Sequence, residues 1–118
     1  MDQPRVSARR VPLPRLELHI LLSLAAAERH GYGILKDIEA CHETVMPDIG
    51  AMYRALARMV ESGLIEESAR RPAPDADDER RHYYRITESG RVMARAEVRR
   101  MEALMRAARA GGLLAKVK

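Results

Sequence analysis

Large aromatic side chains and cysteine are nearly missing from this chain. It has no tryptophan and no phenylalanine, and its four tyrosines are the only aromatic residues, which leaves little material for the stacking platforms that bind single-stranded RNA. The one cysteine, Cys41, excludes an intramolecular disulfide and is typical of a reducing compartment. The chain contains no apolar run of about 18 residues, and its segment MDQPRVSARR lacks the apolar middle of a signal peptide. We therefore expect a cytoplasmic protein that does not enter a membrane.

Motifs for catalysis and for metal binding are also missing. The sequence contains no glycine-rich phosphate loop, no serine nucleophile elbow and no facing pair of carboxylates, so it predicts no enzyme. Cys41 and His42 are adjacent, but His30 and His82 are scattered, and a single thiolate lacks the paired spacing of zinc sites. We predict no cofactor and no metal; a metal-responsive regulator that uses Cys41, His42 and His82 stays open as an alternative.

An excess of positive charge is present instead. The chain has 118 residues, with 21 Lys and Arg against 17 Asp and Glu and a formal net charge of +4, which favours a polyanionic partner. This length predicts one domain with a single core. Residues 1–13 combine Arg5, Arg9 and Arg10 with prolines, a composition that predicts a flexible basic N-terminal arm.

Apolar periodicity predicts two helices in the first part of the chain. A dense helical run of leucine and isoleucine begins at Pro14 and ends near Arg29, and the glycines of HGYG, residues 30–33, follow as a break. The segment YGILKDIEACH then predicts a second helix of about two to three turns with Lys36 on its outer side. Residues 44–47 are expected to turn the chain into the next helix.

The segment DIGAMYRALARMVESG predicts a third, strongly amphipathic helix. Asp48 is placed to cap its start, and Gly63 stands where a left-handed residue would end it. Helical spacing divides the other residues into a side that faces the core and an outer side. The core side consists of Ile49, Met52, Leu56, Met59 and Val60. The outer side consists of Ala51, Arg54, Arg58 and Glu61, with the small Ala55 beside the arginines.

Two short strands and a long helix are predicted next. The strands are LIEESA and RRHYYRIT, and they form a hairpin around the loop RRPAPDADDE, which is rich in proline and acids. Thr87 can cap a last helix that runs to Gly111, about 23 residues or about 34 Å. Apolar residues follow one side of this helix, and a chain of this size cannot easily cover them, so we expect them to meet a second copy.

The order of three helices, a hairpin and a long helix predicts a winged helix-turn-helix. The predicted fold class is mainly α with a small β hairpin. We divide the chain into a winged helix-turn-helix at residues 14–86, a C-terminal dimerisation helix at 87–111 and a tail at 112–118. Arg54 and Arg58 are one turn apart and could each contact a guanine edge or a phosphate, although both could equally be solvated surface charges. The free amides at the start of the third helix offer an anion site.

Three segments in order resemble the PadR family of bacterial transcriptional regulators, over residues 14–110: HGYGI, IGAMYRALARMVESGLIEES and DERRHYYRITESG. The family's recognition helix commonly has threonine at the position of Ala51 and proline at that of Arg54. Ala51 therefore removes a hydroxyl contact and Arg54 adds a cation, so we expect a different base preference. Some members bind flat aromatic drugs against tryptophan at the dimer interface, a mode that a chain without tryptophan does not support.

The resemblance also implies roles for particular residues. It implies that the Tyr53 hydroxyl points toward a phosphate, that Arg58 lies on the DNA face, and that Arg80 and Arg81 anchor the wing. It implies a homodimer in which the last helix packs on the partner's first helix. Phosphates would repel the acidic tip of the wing at residues 75–79, so the arginines at the base of the wing are the better candidates for contact with DNA.

We predict a homodimeric, sequence-specific DNA-binding transcriptional regulator, a repressor that binds an inverted-repeat operator in double-stranded DNA. An inducer is left open, and the alternative is a winged-helix module that docks a protein and does not bind DNA. The predicted DNA contacts are Lys36, Ala51, Tyr53, Arg54, Arg58, Arg80 and Arg81. The predicted dimer contacts are Leu18, Leu22, Val98, Met101, Leu104, Met105 and Ala108.

Overall fold

The order of helices and strands follows the predicted one, with one strand more. A computed structural model of the protein describes residues 12–43, 46–68 and 82–115; the predicted N-terminal arm up to residue 11 and the wing loop with Arg80 and Arg81 lie outside these ranges. The elements in chain order are α1 (Arg15–Ala26), β1 (Arg29–His30), α2 (Gly31–Cys41), α3 (Ile49–Glu61), β2 (Ile65–Glu67), β3 (Tyr83–Ile86) and α4 (Glu88–Ala110). The fold class, mainly α with a small β hairpin, is confirmed.

The core lies where α1, α2 and α3 meet the strands. Its largest fully buried side chains are Ile20, Leu21, Ile34, Ile38, Met52, Leu56, Met59, Leu64 and Ile65. Those of α2 and α3 are three or four residues apart, which is the spacing that aligns side chains on one face. Burying one such side chain stabilises the fold by about 1.5 to 3 kcal/mol. This packing fixes the orientation of α3, whose opposite side is left to solvent.

The buried stripe of α3 is narrower than its sequence predicts. Ile49 and Val60, expected in the core, are 58% and 37% exposed, whereas Ala55, expected beside the arginines, is fully buried. Ala55 lies three residues after Met52 and four before Met59, so it falls in the middle of the stripe. Ile49 and Val60 lie at its edge, where the rest of the described chain covers them only in part.

The end of α3 confirms the role predicted for Gly63. Gly63 has φ 84°, a left-handed conformation that glycine adopts without steric cost. The amide of Gly63 donates to the carbonyl of Val60, and the amide of Leu64 donates to that of Met59, the paired bonds of a Schellman motif. Leu64 then enters the core, and β2 begins at the next residue.

The sheet has three strands, where the sequence predicts a two-stranded hairpin. β3 pairs antiparallel with β2, and on its other side with β1, through Arg29 opposite Tyr84 and His30 opposite Tyr83. The interruption between the first two helices precedes the glycines of HGYG and does not include them. The helix α1 ends at Ala26, and α2 begins at Gly31 with His30 as its cap. A strand of two residues has too little periodicity to be predicted.

The last helix is confirmed at both ends. The Thr87 hydroxyl oxygen accepts a hydrogen bond from the amide of Gly90 at 3.0 Å, and the helix ends at Ala110 after 23 residues. The same hydroxyl donates to the carbonyl of Gly63 at 2.6 Å, which ties the start of α4 to the end of α3. Among the described helices, none is both long enough and apolar enough to cross a membrane.

Shortening Leu56 to alanine is expected to lower the free energy of unfolding by about 2 to 5 kcal/mol. Leu56 is 1% exposed in the middle of the core, so the lost contacts leave a cavity that the surrounding helices cannot fully close. Urea denaturation followed by circular dichroism measures the change. Val92→Ala, at a site 54% exposed on α4, serves as the control and should change the free energy by about 0.5 kcal/mol or less.

Candidate nucleic-acid interface

The outer side of α3 is a cationic helix face that the core packing leaves in solvent. Met52, Ala55, Leu56 and Met59 bury the opposite side. Tyr53, Arg54, Ala57 and Arg58 are exposed, and Ala51 is half-buried. A helix that is anchored on one side and cationic on the other has the form that enters the major groove of DNA.

The first turn of α3 carries a carboxylate and a guanidinium close together. Asp48 Oδ1 accepts a hydrogen bond from the amide of Ala51 at 2.6 Å, which confirms its predicted role as the cap. Because this carboxylate occupies the start of the helix, the anion site expected there is already filled by the chain itself. The Arg54 side chain runs back along the helix, so its guanidinium lies beside Gly50.

Arg58 is paired with an acid of α1 and still reaches solvent. One of its terminal nitrogens, Nη2, lies 3.6 Å from Oε2 of Glu17; the carboxylate side chain is 5% exposed and that of Arg58 is 58% exposed. A buried carboxylate at this distance restricts the positions of the guanidinium. Arg58 is therefore held at the surface, with donors left to face a partner, and is not buried against its own acid.

Tyr53 of α3 lies close to α2 and to β3. Its hydroxyl lies so close to Gly31 that a Cβ on that glycine would approach it to 2.5 Å. Burial raises the pKa of Tyr84 on β3, and the charge of Glu67 and the phenol of Tyr53 add to the rise. The Tyr53 hydroxyl thus lies beside the start of α2, and any phosphate that it contacts must lie beside this end of α2.

The remaining predicted DNA contacts are placed less closely together. Lys36 is exposed on α2, where its ammonium lies 3.6 Å from Oε1 of Glu39 and 5.7 Å from the centre of the Tyr32 ring. Arg80 and Arg81 lie outside the described residues. The structure therefore brings together Ala51, Tyr53, Arg54 and Arg58 on α3, with Lys36 on the neighbouring helix.

A polar clamp holds the end of α2 against α1. His19 of α1 is buried, and its Nε2 lies 2.6 Å from Oε1 of Glu43, whose other oxygen lies 3.2 Å from Nη1 of Arg15. The hydrogen bond with His19 holds the pKa of Glu43 below its ordinary value of 4.5, and the charge of Arg15 adds to this effect. The end of α2 is therefore fastened to α1 by an ionised carboxylate.

This clamp is expected to make stability depend on pH at acid values. Because the pKa of Glu43 is lower in the folded state, its contribution is present above the ordinary pKa of 4.5 and is lost as the pH falls through the lower, folded-state value. Glu43→Gln should therefore reduce the free energy of unfolding at pH 7 and bring a smaller reduction at pH 3. Urea denaturation at both pH values measures the difference, and Glu39→Gln is the control; an equal reduction at both would contradict the role given to the charge.

The apolar side of α4 is only partly covered by the rest of the described chain. Its first half is buried at Met93, Ala94 and Glu97, and Met101 packs partly against the core. Farther on, Leu104 is 67% exposed and Met105 43% exposed. Apolar side chains therefore continue along α4 beyond the part that the rest of the described chain buries.

A groove between α1 and α4 adjoins this stripe. Its volume is about 360 Å³, and its lining is mainly apolar, with Leu22, Ala25, Ile86 and Val98 among the residues and arginines at its rim. Leu22 is 45% exposed, whereas Leu18 is 3% exposed and belongs to the hydrophobic core. Leu18 offers no surface to a partner because α1 turns it inward, so only Leu22 of the two leucines remains a candidate dimer contact.

Two residues near the outer face of α3, Glu17 and Gly50, were not singled out from the sequence. Glu17 is an acid within the apolar run LELHILLSL, and a charge at a buried helical position is the signal that predicts a partner. Gly50 is a glycine in the first turn of a helix, where alanine is the better helix former.

Among the described residues, no three His, Cys, Asp or Glu side chains converge as a metal site requires.

The helices α1 to α3, followed by a wing of β2 and β3 and by the long α4, define a winged helix-turn-helix protein. A model described as the transcriptional regulator PadR-like family matches residues 20–96, more than half of the chain. The chain belongs to the PadR-like family of transcriptional regulators. This family consists of regulators and not of enzymes, and regulation by its members implies binding to DNA.

Solved structures agree with this assignment. A PadR family transcription regulator from hypervirulent Clostridium difficile is 23% identical, with 82% of this chain and 97% of that chain covered and a TM-score of 0.69. A PadR-like regulator from Bacillus cereus is 24% identical, with 86% and 93% covered and a TM-score of 0.64. A transcriptional regulator from Thermoplasma acidophilum is 21% identical, with 88% and 94% covered and a TM-score of 0.64. At these identities the likeness shows the shared fold. No curated protein sequence matches the chain.

Proposed function

We propose that the protein is a homodimeric repressor of the cytoplasm that binds an inverted-repeat operator through α3. The observation that carries this proposal is the outer face of α3, where Arg54 and Arg58 stay exposed while the other face is locked into the core. Two such helices, one from each protomer, would enter successive major grooves about 34 Å apart. A repressor that occupies its operator in this way would exclude other proteins from the same DNA.

Contacts with DNA are assigned by the chemistry of each side chain. Arg54 and Arg58 supply cations to base edges or phosphates, and Tyr53 supplies a hydroxyl beside the start of α2. The half-buried Ala51 allows α3 to approach the groove closely. Lys36, Arg80 and Arg81 remain proposed phosphate contacts at the margins of this surface.

The dimer surface is proposed to consist of Leu22, Val98, Leu104 and Met105, with Met101 and Ala108 between them. The side chains of Leu22, Val98, Leu104 and Met105 are each more than a third exposed. A contiguous exposed apolar patch of this kind marks an interaction site. The stripe of α4 continues past its own protomer, so a second copy can cover its outer half. The α1–α4 groove, with Leu22 on one wall and Val98 on the other, can take side chains from that copy.

The test is a selection of bound fragments from genomic or random duplex DNA, followed by fluorescence anisotropy titration at several salt concentrations. We expect a sequence with two-fold symmetry, bound by two protomers. We also expect log affinity to fall with log salt by about 0.9 for each phosphate neutralised. Selection of no sequence, together with an affinity that does not respond to salt, would favour the alternative of a protein-docking module.

A further inference from the structure

Gly50 and Arg54 lie one turn apart on the outer face of α3 and share one space. A Cβ added to Gly50 would lie 2.9 Å from Nη1 of Arg54 and 3.5 Å from Oδ1 of Asp48. The first distance is shorter than van der Waals contact. The guanidinium therefore occupies the volume that any other residue at position 50 would fill.

The position of this guanidinium favours a base edge over a phosphate. The Asp48 carboxylate borders the same space at Gly50 and is fixed to the helix by its hydrogen bond to the Ala51 amide, so Arg54 shares this turn with a negative charge. A phosphate would be repelled by that charge, whereas a base edge is neutral. The first turn of a recognition helix is also the part that contacts base edges.

Guanine is the base that fits this group. It presents two acceptors, O6 and N7, in the major groove, and arginine can donate to both at once through its planar fork. A glycine beside the guanidinium keeps the helix backbone close to the groove floor, because no side chain holds the helix away.

We propose that Gly50 is a specificity-determining residue, which keeps open the space from which Arg54 contacts one guanine in each operator half-site. This inference rests on the proposed function, since it requires that α3 binds DNA. Gly50 acts through Arg54 and makes no base contact through a side chain of its own.

Gly50→Ala tests this idea without damage to the fold. The atom that the new methyl group would meet is the far end of a flexible side chain, so the guanidinium will move while the helix stays. Alanine is also a better helix former than glycine, so the thermal unfolding midpoint should stay the same or rise. Loss of DNA discrimination then cannot be attributed to unfolding.

The experiment uses the full chain and a duplex selected from random DNA by the unsubstituted protein. Each base of one half-site is changed in turn, and anisotropy titrations compare the unsubstituted protein with Arg54→Ala, Gly50→Ala and the double variant. Gly111→Ala, at the end of α4 where a Cβ meets nothing closer than 3.5 Å, is the matched control. We expect a preference for guanine at one position of roughly 5- to 150-fold, the range of a good bidentate contact.

Both single variants should reduce that preference to within about threefold, and the double variant should reduce it no further, because both changes remove the same contact. The control variant, Gly111→Ala, should keep the guanine preference of the unsubstituted protein. Retention of the guanine preference by Gly50→Ala, an equal loss at every position, or an additive double variant would each overturn the inference while DNA binding stands. Selection of no sequence by the unsubstituted protein would remove the proposed function and this inference together.

Discussion

Replacing Leu104 and Met105 together with aspartate is expected to make the protein monomeric and to weaken operator binding by about 100-fold or more. Both side chains are exposed on the outer half of α4, where the proposed dimer surface would bury them, and a charge buried in an apolar interface is strongly unfavourable. When two half-sites are bound by linked modules, the second contact is intramolecular, and losing this advantage costs about 10² to 10⁴ in affinity. Analytical ultracentrifugation and anisotropy titration on the same samples measure the two effects.

The matched control for this experiment is Val92→Asp. Val92 is 54% exposed on α4 but lies on the opposite side of the helix from Leu104 and Met105, at the angle given by helical spacing. It should leave both the dimer and operator binding unchanged. If the double aspartate variant stays dimeric, the outer half of α4 is not the dimer surface.

Arg58→Ala is expected to lower operator affinity by about tenfold or more and also to destabilise the fold by about 1 to 3 kcal/mol. The first effect follows from losing a cation on the DNA face, and the second from leaving the buried Glu17 carboxylate without this guanidinium. Half of the Arg58 side chain faces solvent, so the structural effect should be smaller than that for a fully buried pair. Urea denaturation and anisotropy titration separate the two quantities.

A second substitution distinguishes the structural role of Arg58 from its role in DNA binding. Glu17→Gln combined with Arg58→Ala removes the buried charge as well as its partner, so stability should recover. Operator affinity should stay low, and the slope of log affinity against log salt should remain smaller by about one if Arg58 contacts a phosphate. Recovery of both stability and affinity would mean that Arg58 serves only to neutralise Glu17.

Features of the fold that depend on a few neighbouring residues were predictable from the sequence. Asp48 and Thr87 are polar residues directly before amphipathic segments, and each caps its helix as predicted, because an N-cap bond spans only three residues. Gly63 ends α3 for an equally local reason, the need for a positive φ. The family could be recognised because these local signals occur in a fixed order along the chain.

The tertiary structure decided which residues of each helix are buried and which charges have partners. Helical spacing predicted the wrong burial for Ile49 and Ala55 of α3, because the width of a buried stripe depends on what packs against it. Helical spacing likewise could not separate Leu18, which is buried in the core, from Leu22, which is exposed.

The sequence by itself determined the order of the elements, the ends of α3 and α4, and the cationic character of one face of α3, since each of these arises from residues within about one helical turn. The tertiary structure decided that Arg29 and His30 form a third strand, that Glu17 contacts Arg58, and which part of α4 the rest of the chain covers. These contacts join residues that are distant in the chain. Their geometry is fixed only when the helices pack around a common core.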